Sequence, residues 1–342
     1  MEQTPKKTWW RWGVNRWIVL ALLLAGGFVV GASVVTTPVL PSVVLPAENL
    51  SARPLFGNFY FTNTMTATLL ADLILIGIAF FFNRAVKKAI QDGTLILKGI
   101  SGAVEALLEY LYNMTESTAG KWARTIFPWF GSITLLVLVA NWMELFPFVD
   151  SFGFLEKADK GGYAVKQLFS IPQLGAIVST LVKPAQGAVL ESGYKVIPFV
   201  RVVSTDLNFT VALALIAVVA VQIIGIRAQG MKYFTKFFFV KTLFTKPIFG
   251  VIDFGVGLLE LVSEFSKILS FAFRLFGNIF AGSVLLFVMG FLLGKFTLVP
   301  TIFYMLEFFV GAIQAIVFGL LTMTFMAQAT QGHDEHPEKA HA

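Results

Sequence analysis

Apolar residues run along this chain in long blocks, and clusters of lysine and arginine separate the blocks. A membrane-spanning helix needs about 20 apolar residues. The first block, Trp17–Val35, follows Lys6, Lys7, Arg11 and Arg16, with Trp9, Trp10 and Trp12 set at the interface. Cleavage near Gly31–Ala32–Ser33 would make it a signal peptide; the reading taken here is a retained helix. Pro38–Leu50 is proline-rich and extended. Thr64–Phe82 is the next predicted span and ends at Arg84, Lys87 and Lys88. In Leu95–Thr118 the residues Val104, Leu107, Leu108 and Leu111 recur at helical spacing among acidic ones. That pattern predicts an amphipathic interfacial helix, which leads to Lys121 and Arg124. Ile126–Phe146 spans again and stops at Pro147.

A polar connection, Phe148–Thr205, follows, and its apolar patch Leu168–Val182 is expected to form a lid or short helices. Loops of this length are usually functional or mobile. Leu207–Ile226 spans next and ends at Arg227, before a loop carrying Lys232, Lys236, Lys241 and Lys246. Phe249–Leu293 is different. As one helix it would be roughly 65 Å long at ~1.5 Å per residue. A bilayer core is only ~30 Å thick, so this helix must tilt strongly or break. Gly294–Pro300 form a turn, and Thr301–Ala329 returns as a second long helix.

The predicted fold is an all-α polytopic membrane protein with about six transmembrane helices. It includes a C-terminal hairpin of two long, strongly tilted helices. Three regions follow: residues 1–60 (basic segment, extra helix and linker), 61–332 (the membrane domain, with an outer loop at 148–205) and 333–342 (a polar tail). The basic clusters of the short loops all fall on one side if the N-terminus is cytoplasmic. Both termini then lie inside. With the first helix cleaved, the new N-terminus lies outside.

Composition narrows the class. Of 342 residues, 56% are hydrophobic and only 13% charged, against roughly 25% charged in a soluble domain. A water-soluble fold could not hide the 36 phenylalanines and their apolar company. The absence of cysteine excludes disulfides, thiolate zinc sites and iron–sulfur clusters. The net charge of +6 fits Lys- and Arg-rich cytoplasmic loops rather than nucleic-acid binding. Neither a Walker phosphate loop nor a dinucleotide fingerprint is present. His333, His336 and His341 all sit in the tail. No span therefore offers a histidine to a haem or chlorophyll, and no cofactor or metal site is expected.

The polar residues inside the blocks carry the chemistry. Arg274 lies in Phe271–Ala272–Phe273–Arg274–Leu275–Phe276, far from either helix end. An arginine at a helix centre costs about 2.5–3.5 kcal/mol on insertion scales, and a guanidinium does not shed its charge. It needs an anionic partner or water; the plainer alternative is a structural arginine on nearby carbonyls. On a helix, Glu260, Ser263, Lys267, Ser270, Arg274 and Asn278 fall within about 40° of one line. That stripe either lines a watery path or packs on another polar helix. Ser283 lies on the opposite face, and Glu307 and Gln314 share a face of the return helix. Asn141 and Glu144 share a face at the outer end of their span, and Asp206 and Asn208 open the next span on that side. An outer set (Glu144, Asp206, Asn208, Ser283, Glu307) and an inner set (Glu260, Ser263, Glu264, Ser270) therefore flank one fixed cation, the layout of two offset half-channels. Each carboxylate alone could equally be a helix cap or an interfacial residue. Gly277 and Ala281, and Gly311, Ala315 and Gly319, recur at four-residue spacing and allow close helix approach, either internally or for a partner.

The string Arg274–Leu275–Phe276–Gly277–Asn278, followed by Ala281–Gly282, resembles the signature of the F-type ATP synthase a subunit, the Fo proton-channel subunit. Asn141–Trp142–Met143–Glu144–Leu145–Phe146–Pro147 and Asp206–Leu207–Asn208–Phe209–Thr210 resemble it at the matching spans, and the likeness runs from about Phe61 to Gln328. The resemblance implies a non-catalytic subunit beside a ring of c-subunit hairpins, with the b subunits of the peripheral stalk and the remaining F1Fo complex as partners, in a bacterial inner membrane. Each ring carboxylate would load an ion from one half-channel and release it to the other. Proton and sodium are both open, since the ion-binding carboxylate belongs to the c subunit. Arg274 would match the essential arginine, favouring the ionised ring carboxylate and blocking leakage. Asn278 and Gln314 match residues near it, Glu260 a cytoplasmic one, and Glu144, Asp206 and Asn208 outer ones. One departure stands out. Where many relatives carry an ionisable residue paired with a second on the return helix, this chain has Ser283, leaving Glu307 as the pair's carboxylate. A secondary cation/proton antiporter is the competing reading, but such transporters usually show internal repeats and broken helices, and this chain shows neither. A pure scaffold for the ring would not need Arg274.

Overall fold

The computed structural model describes residues 17–19, 21–22, 25, 46–51, 53–54, 57–93, 96–146, 148–158, 162–171, 176–182, 193–236, 247–293 and 298–331. The expected first helix, most of its linker, the hairpin turn and the histidine tail lie largely or wholly outside them. The chain divides into two compact units: Leu45–Asp150, Phe199–Phe280 and Phe309–Ala342 in the larger, and Met1–Val44, Ser151–Pro198 and Ala281–Phe308 in the smaller.

Among the described residues six α-helices carry the fold: α1 (Asn63–Gln91), α2 (Ile100–Ala119), α3 (Ala123–Trp142), α4 (Leu207–Gln229), α5 (Pro247–Leu293) and α6 (Leu298–Thr330). Among the described residues five helical runs are long and apolar enough to cross a membrane, α2 and α3 forming one run between them. Helix α1 explains itself by its surroundings: Leu69, Leu73, Ile76, Phe80 and Phe81 are exposed, a surface that lipid accepts and water does not. Gly120, at φ +52°, ends α2, a left-handed position that favours glycine. The chain then folds back through a short 3-10 turn, Gly120–Trp122, into α3. Leu111 and Thr115 of α2 are buried while Leu107, expected on the packed face, is exposed. The amphipathic character is present, rotated by part of a turn. Asp206 caps α4, its Oδ1 accepting from the Asn208 N–H at 2.9 Å.

Helix α5 is one element of 47 residues. At ~1.5 Å per residue that is roughly 70 Å, more than twice a bilayer core of ~30 Å. Of the two ways to use such length, an unbroken helix leaves tilt.

The connection after α3 corrects the expectation of short helices. It is β structure. Strand β1 (Gly153–Lys157) pairs antiparallel with β4 (Tyr194–Pro198), register Gly153↔Pro198 to Lys157↔Tyr194. Strands β2 (Ala164–Ile171) and β3 (Ala176–Val182) form a hairpin between them, with an irregularity at Gln167/Phe169. The reason is in the composition: Ala176–Val182 is rich in β-branched side chains, which suit a pleated surface.

Within the larger unit, one core joins Ile133 and Val137 of α3, Leu213, Ala214 and Ala217 of α4, Phe271, Ala272, Leu275 and Ile279 of α5, and Phe318 of α6. Phe271 sits 5.1 Å, centroid to centroid, from Phe318. These contacts place the inner face of α5 and leave the opposite face open.

Candidate functional site

Arg274 stands at the border between those two faces. Phe271, Ala272 and Leu275 on its helix are buried, and Phe273, Gly277 and Asn278 are exposed. The guanidinium is half-buried. Its Nη2 donates to Ser270 Oγ at 3.2 Å, and among the described residues no carboxylate of this chain lies within ion-pair reach of it. A permanent cation in a lipid-facing helix, held by one hydroxyl, has its charge unspent. Four residues on, Asn278 Nδ2 donates to Gln314 Oε1 at 2.7 Å. Gln314 is buried on α6, and its Nε2 meets no partner among the described residues. The two amides expected near the arginine are thus tied to one another.

The polar stripe of α5 splits. Ser263 and Ser270 are exposed and Glu260 is half-buried, on the side Arg274 faces. Lys267 is drawn off the stripe: its Nζ lies 3.0 Å from Oε1 of Glu264 and 4.7 Å from the ring centre of Phe325. Glu264 is buried and turned into the bundle. Its Oε2 accepts from Gln222 Nε2 at 3.0 Å, and Gln222 Oε1 accepts from the Tyr233 hydroxyl at 2.7 Å. Tyr233 follows α4 in the 3-10 turn Gly230–Lys236, and its ring lies flush on Gly225, where any Cβ would collide with it. Gln222 and Tyr233 escaped the sequence reading, although an amide inside an apolar span was a signal.

At one end of the larger unit, Asp206 is buried and does two things. Besides capping α4, its Oδ2 accepts from Thr64 Oγ1 of α1 at 2.9 Å. Asn208 contributes its backbone N–H to that cap while its side chain is exposed. Asn141 is buried, accepting from Ser204 Oγ at 2.6 Å and donating to the Gly311 carbonyl at 3.1 Å. Glu144 lies in the 3-10 turn Met143–Leu145, half-buried, with Oε2 fully enclosed. Next to this, Arg201 Nη1 donates to the Pro46 carbonyl at 2.9 Å, Asn63 Oδ1 accepts from the Glu48 N–H at 3.2 Å, and the Asp150 N–H donates to the Val200 carbonyl at 2.9 Å. Thr64 and Ser204 were not foreseen. Their partners are far away in sequence, so spacing could not show them.

In the smaller unit, Ser283 and Glu307 are both buried. The Glu307 carboxylate rests on the backbone of Gly282, where a Cβ would strike it. Glu307 Oε1 is buried with no partner among the described residues. The described residues contain no group of three or more side chains that could hold a metal.

The small residues separate by role. Gly311, Ala315 and Gly319 are buried, and a Cβ on Gly319 would run into Thr134 and the ring of Phe130 on α3. They serve internal packing. Gly277 is exposed with nothing within 4 Å of its Cβ position, and Ala281 is exposed as well.

The family model described as "ATP synthase A chain" matches residues 65–327. The chain belongs to this family. The match opens two residues inside α1 and closes three before the end of α6, so it takes in every helix described above and the β insert. Proteins named ATP synthase subunit a are similar to it over most of their length. That of Mycobacterium bovis is 27% identical over 287 residues, covering 80% of this chain and 89% of the relative. That of Gloeobacter violaceus is 31% identical over 278 residues, covering 80% and 85%. A shorter match, to Listeria welshimeri, reaches 40% over 86 residues, covering 23% and 35%. Family membership and five apolar helical runs make this a multi-pass membrane protein.

Proposed function

We propose that this chain is the proton-translocating a subunit of an ATP synthase Fo sector, non-catalytic by itself, with Arg274 dividing an outer from an inner half-channel. The observation that carries it is the unneutralised guanidinium at the edge of the open face of α5, one turn from the exposed Gly277. A fixed cation there favours the ionised form of a carboxylate that passes it. It also repels a proton that would cross directly. The passing carboxylate is assigned to a ring of c-subunit hairpins. The b subunits and the rest of F1Fo complete the assembly.

The inner half-channel is assigned to Glu260, Ser263 and Ser270, and the outer one to Glu144, Asp206, Asn208, Ser283 and Glu307. Asn278 and Gln314 shape the surface beside Arg274. The proton is taken as the ion. Both termini are placed in the cytoplasm with the first helix retained, because the basic short loops then share one side.

The test is Arg274→Ala in inverted membrane vesicles. ATP-driven proton pumping should be lost while the complex still assembles; normal pumping in the assembled variant would end this reading. A Glu307→Gln variant should slow proton entry from the outer side, read as passive flux through Fo. Flux equal to the parent's would remove Glu307 from the outer route.

A further inference from the structure

Two cations occupy nearly the same line on α5. Lys267 precedes Arg274 by two helical turns, about 10 Å along the axis, and is rotated only about 20° from it. The structure treats them differently. Arg274 meets a neutral hydroxyl. Lys267 meets a carboxylate at 3.0 Å and an aromatic face at 4.7 Å. Glu264, the carboxylate that holds it, is itself fixed from the far side by Gln222, and Gln222 is fixed by Tyr233. The last of these sits on the bare backbone of Gly225. Glu264 and Phe325 meet the ammonium directly, and Gln222 and Tyr233 back the carboxylate from α4 and the turn after it.

We infer that Glu264 is a positioning residue whose task is to mask Lys267, so that Arg274 is the cation available to a carboxylate passing along α5. The inference rests on the channel reading of Arg274. The chemistry is direct. An opposite charge attracts and ionises a carboxylate wherever it stands, and a lysine ammonium on a flexible stem reaches further than its backbone position suggests. A free Lys267 would be a second docking point two turns nearer the cytoplasm. It would hold the arriving carboxylate ionised in the wrong place and delay its return to protons from the inner half-channel. The i,i+3 carboxylate folds that ammonium back toward the bundle and cancels its field. Gln222 and Tyr233 keep the carboxylate from following the lysine outward.

A simple structural tie makes a different prediction, and paired variants separate the two. The measurement is ATP-driven proton pumping in inverted vesicles, expressed per assembled complex. Glu264→Gln leaves Lys267 unmasked and should slow pumping roughly fivefold or more, the scale of coupling expected for residues in contact. Adding Lys267→Gln removes the cation that needed masking and should bring the rate back to within about twofold of the parent. Lys267→Gln alone removes the cation and leaves Glu264 held by Gln222, so it should pump within about twofold of the parent, where a structural tie would be broken by loss of either partner; it decides the matter if Glu264→Gln fails to assemble. Parent-like pumping in Glu264→Gln would overturn the inference. So would a double that pumps as slowly as the Glu264→Gln single, or that does not assemble, for the pair would then be a structural tie. Arg274→Ala is run alongside: if it pumps normally, the channel reading itself has failed, whatever the other variants do.

Discussion

Asp150 is the single non-glycine residue with a positive φ, +57°, among the described residues, and it sits where the chain leaves α3 for the β insert. Asparagine and aspartate tolerate that conformation better than most side chains. Burial pushes its carboxyl up from 3.8 to about 6; Arg201 and the backbone N–H of Val202 pull it down, and Glu48 pushes it up. The sign follows. A carboxyl whose folded pKa lies above the unfolded one favours the folded arrangement fully below about 4, and that contribution is lost as pH rises through about 6. The turn held by the Asp150 N–H on the Val200 carbonyl should therefore be better protected at pH 5 than at pH 7.5. Limited proteolysis of the connection between α3 and α4 at the two pH values reads this. Asp150→Asn keeps the backbone and removes the charge, so protection should become flat across that range. A pH dependence that survives in Asp150→Asn would assign it to another group. The sequence alone did not point to Asp150, because its neighbours Arg201 and Glu48 come from segments far along the chain.

At the scale of elements, glycines show which helix faces are closed and which are open. Gly319 of α6 lies so close to α3 that a Cβ would meet the Phe130 ring at 2.9 Å and press on Thr134 still harder. Gly319→Val should cost about 1–3 kcal/mol through overpacking, seen as a lower midpoint for heat-induced loss of folded chain in the membrane. A Cβ at Gly277 has open space around it, so Gly277→Leu should leave that midpoint unchanged. If α5 docks a ring there, it should instead lower the yield of intact complex. Equal thermal losses in both would mean that the two faces do not differ. How far the sequence could be read follows the same division. Lipid enforces long apolar blocks, so helices α1, α3, α4, α5 and α6 were legible from block length. The register of packing was not: four-residue spacing predicted a close approach at both Gly277 and Gly319, and only the neighbours distinguish them. The β insert was misread because apolar residues in a polar connection were taken for helix. Its β-branched run Ala176–Val182, after Pro172 and Gly175, was a strand signal. Within the candidate site, Arg274, Asn278 and Gln314 were legible from chemistry unusual in lipid. The Lys267–Glu264–Gln222–Tyr233 chain was not, since helical phase places Lys267 and Arg274 alike and says nothing of what α4 brings to meet them.

For the molecule as a whole, the question is what covers the outer face of α5. Leu259, Val262, Phe265, Leu269 and Phe273 are all exposed there, and lipid alone could cover them. Lipid does not account for the rest of that face. Arg274 is costly against acyl chains, and Gly277 and Ala281 form a small-residue seam of the kind at which membrane helices approach closely. A partner helix bearing a carboxylate satisfies both features at once: it answers the charge and fills the seam. A cysteine introduced at position 274, 277 or 281 should therefore crosslink to a small two-helix protein of the complex when the native assembly is oxidised or treated with a short bifunctional reagent. A cysteine at Leu73, on the exposed side of α1, should not. Position 277 should give the strongest product, because nothing of its own chain lies within 4 Å of its Cβ position. Products at all three positions, each lost on dissociation of the complex, would place the ring on this face. Products at none, with the chain otherwise assembled, would leave Arg274 facing lipid and water and would favour a transporter that works without a rotor.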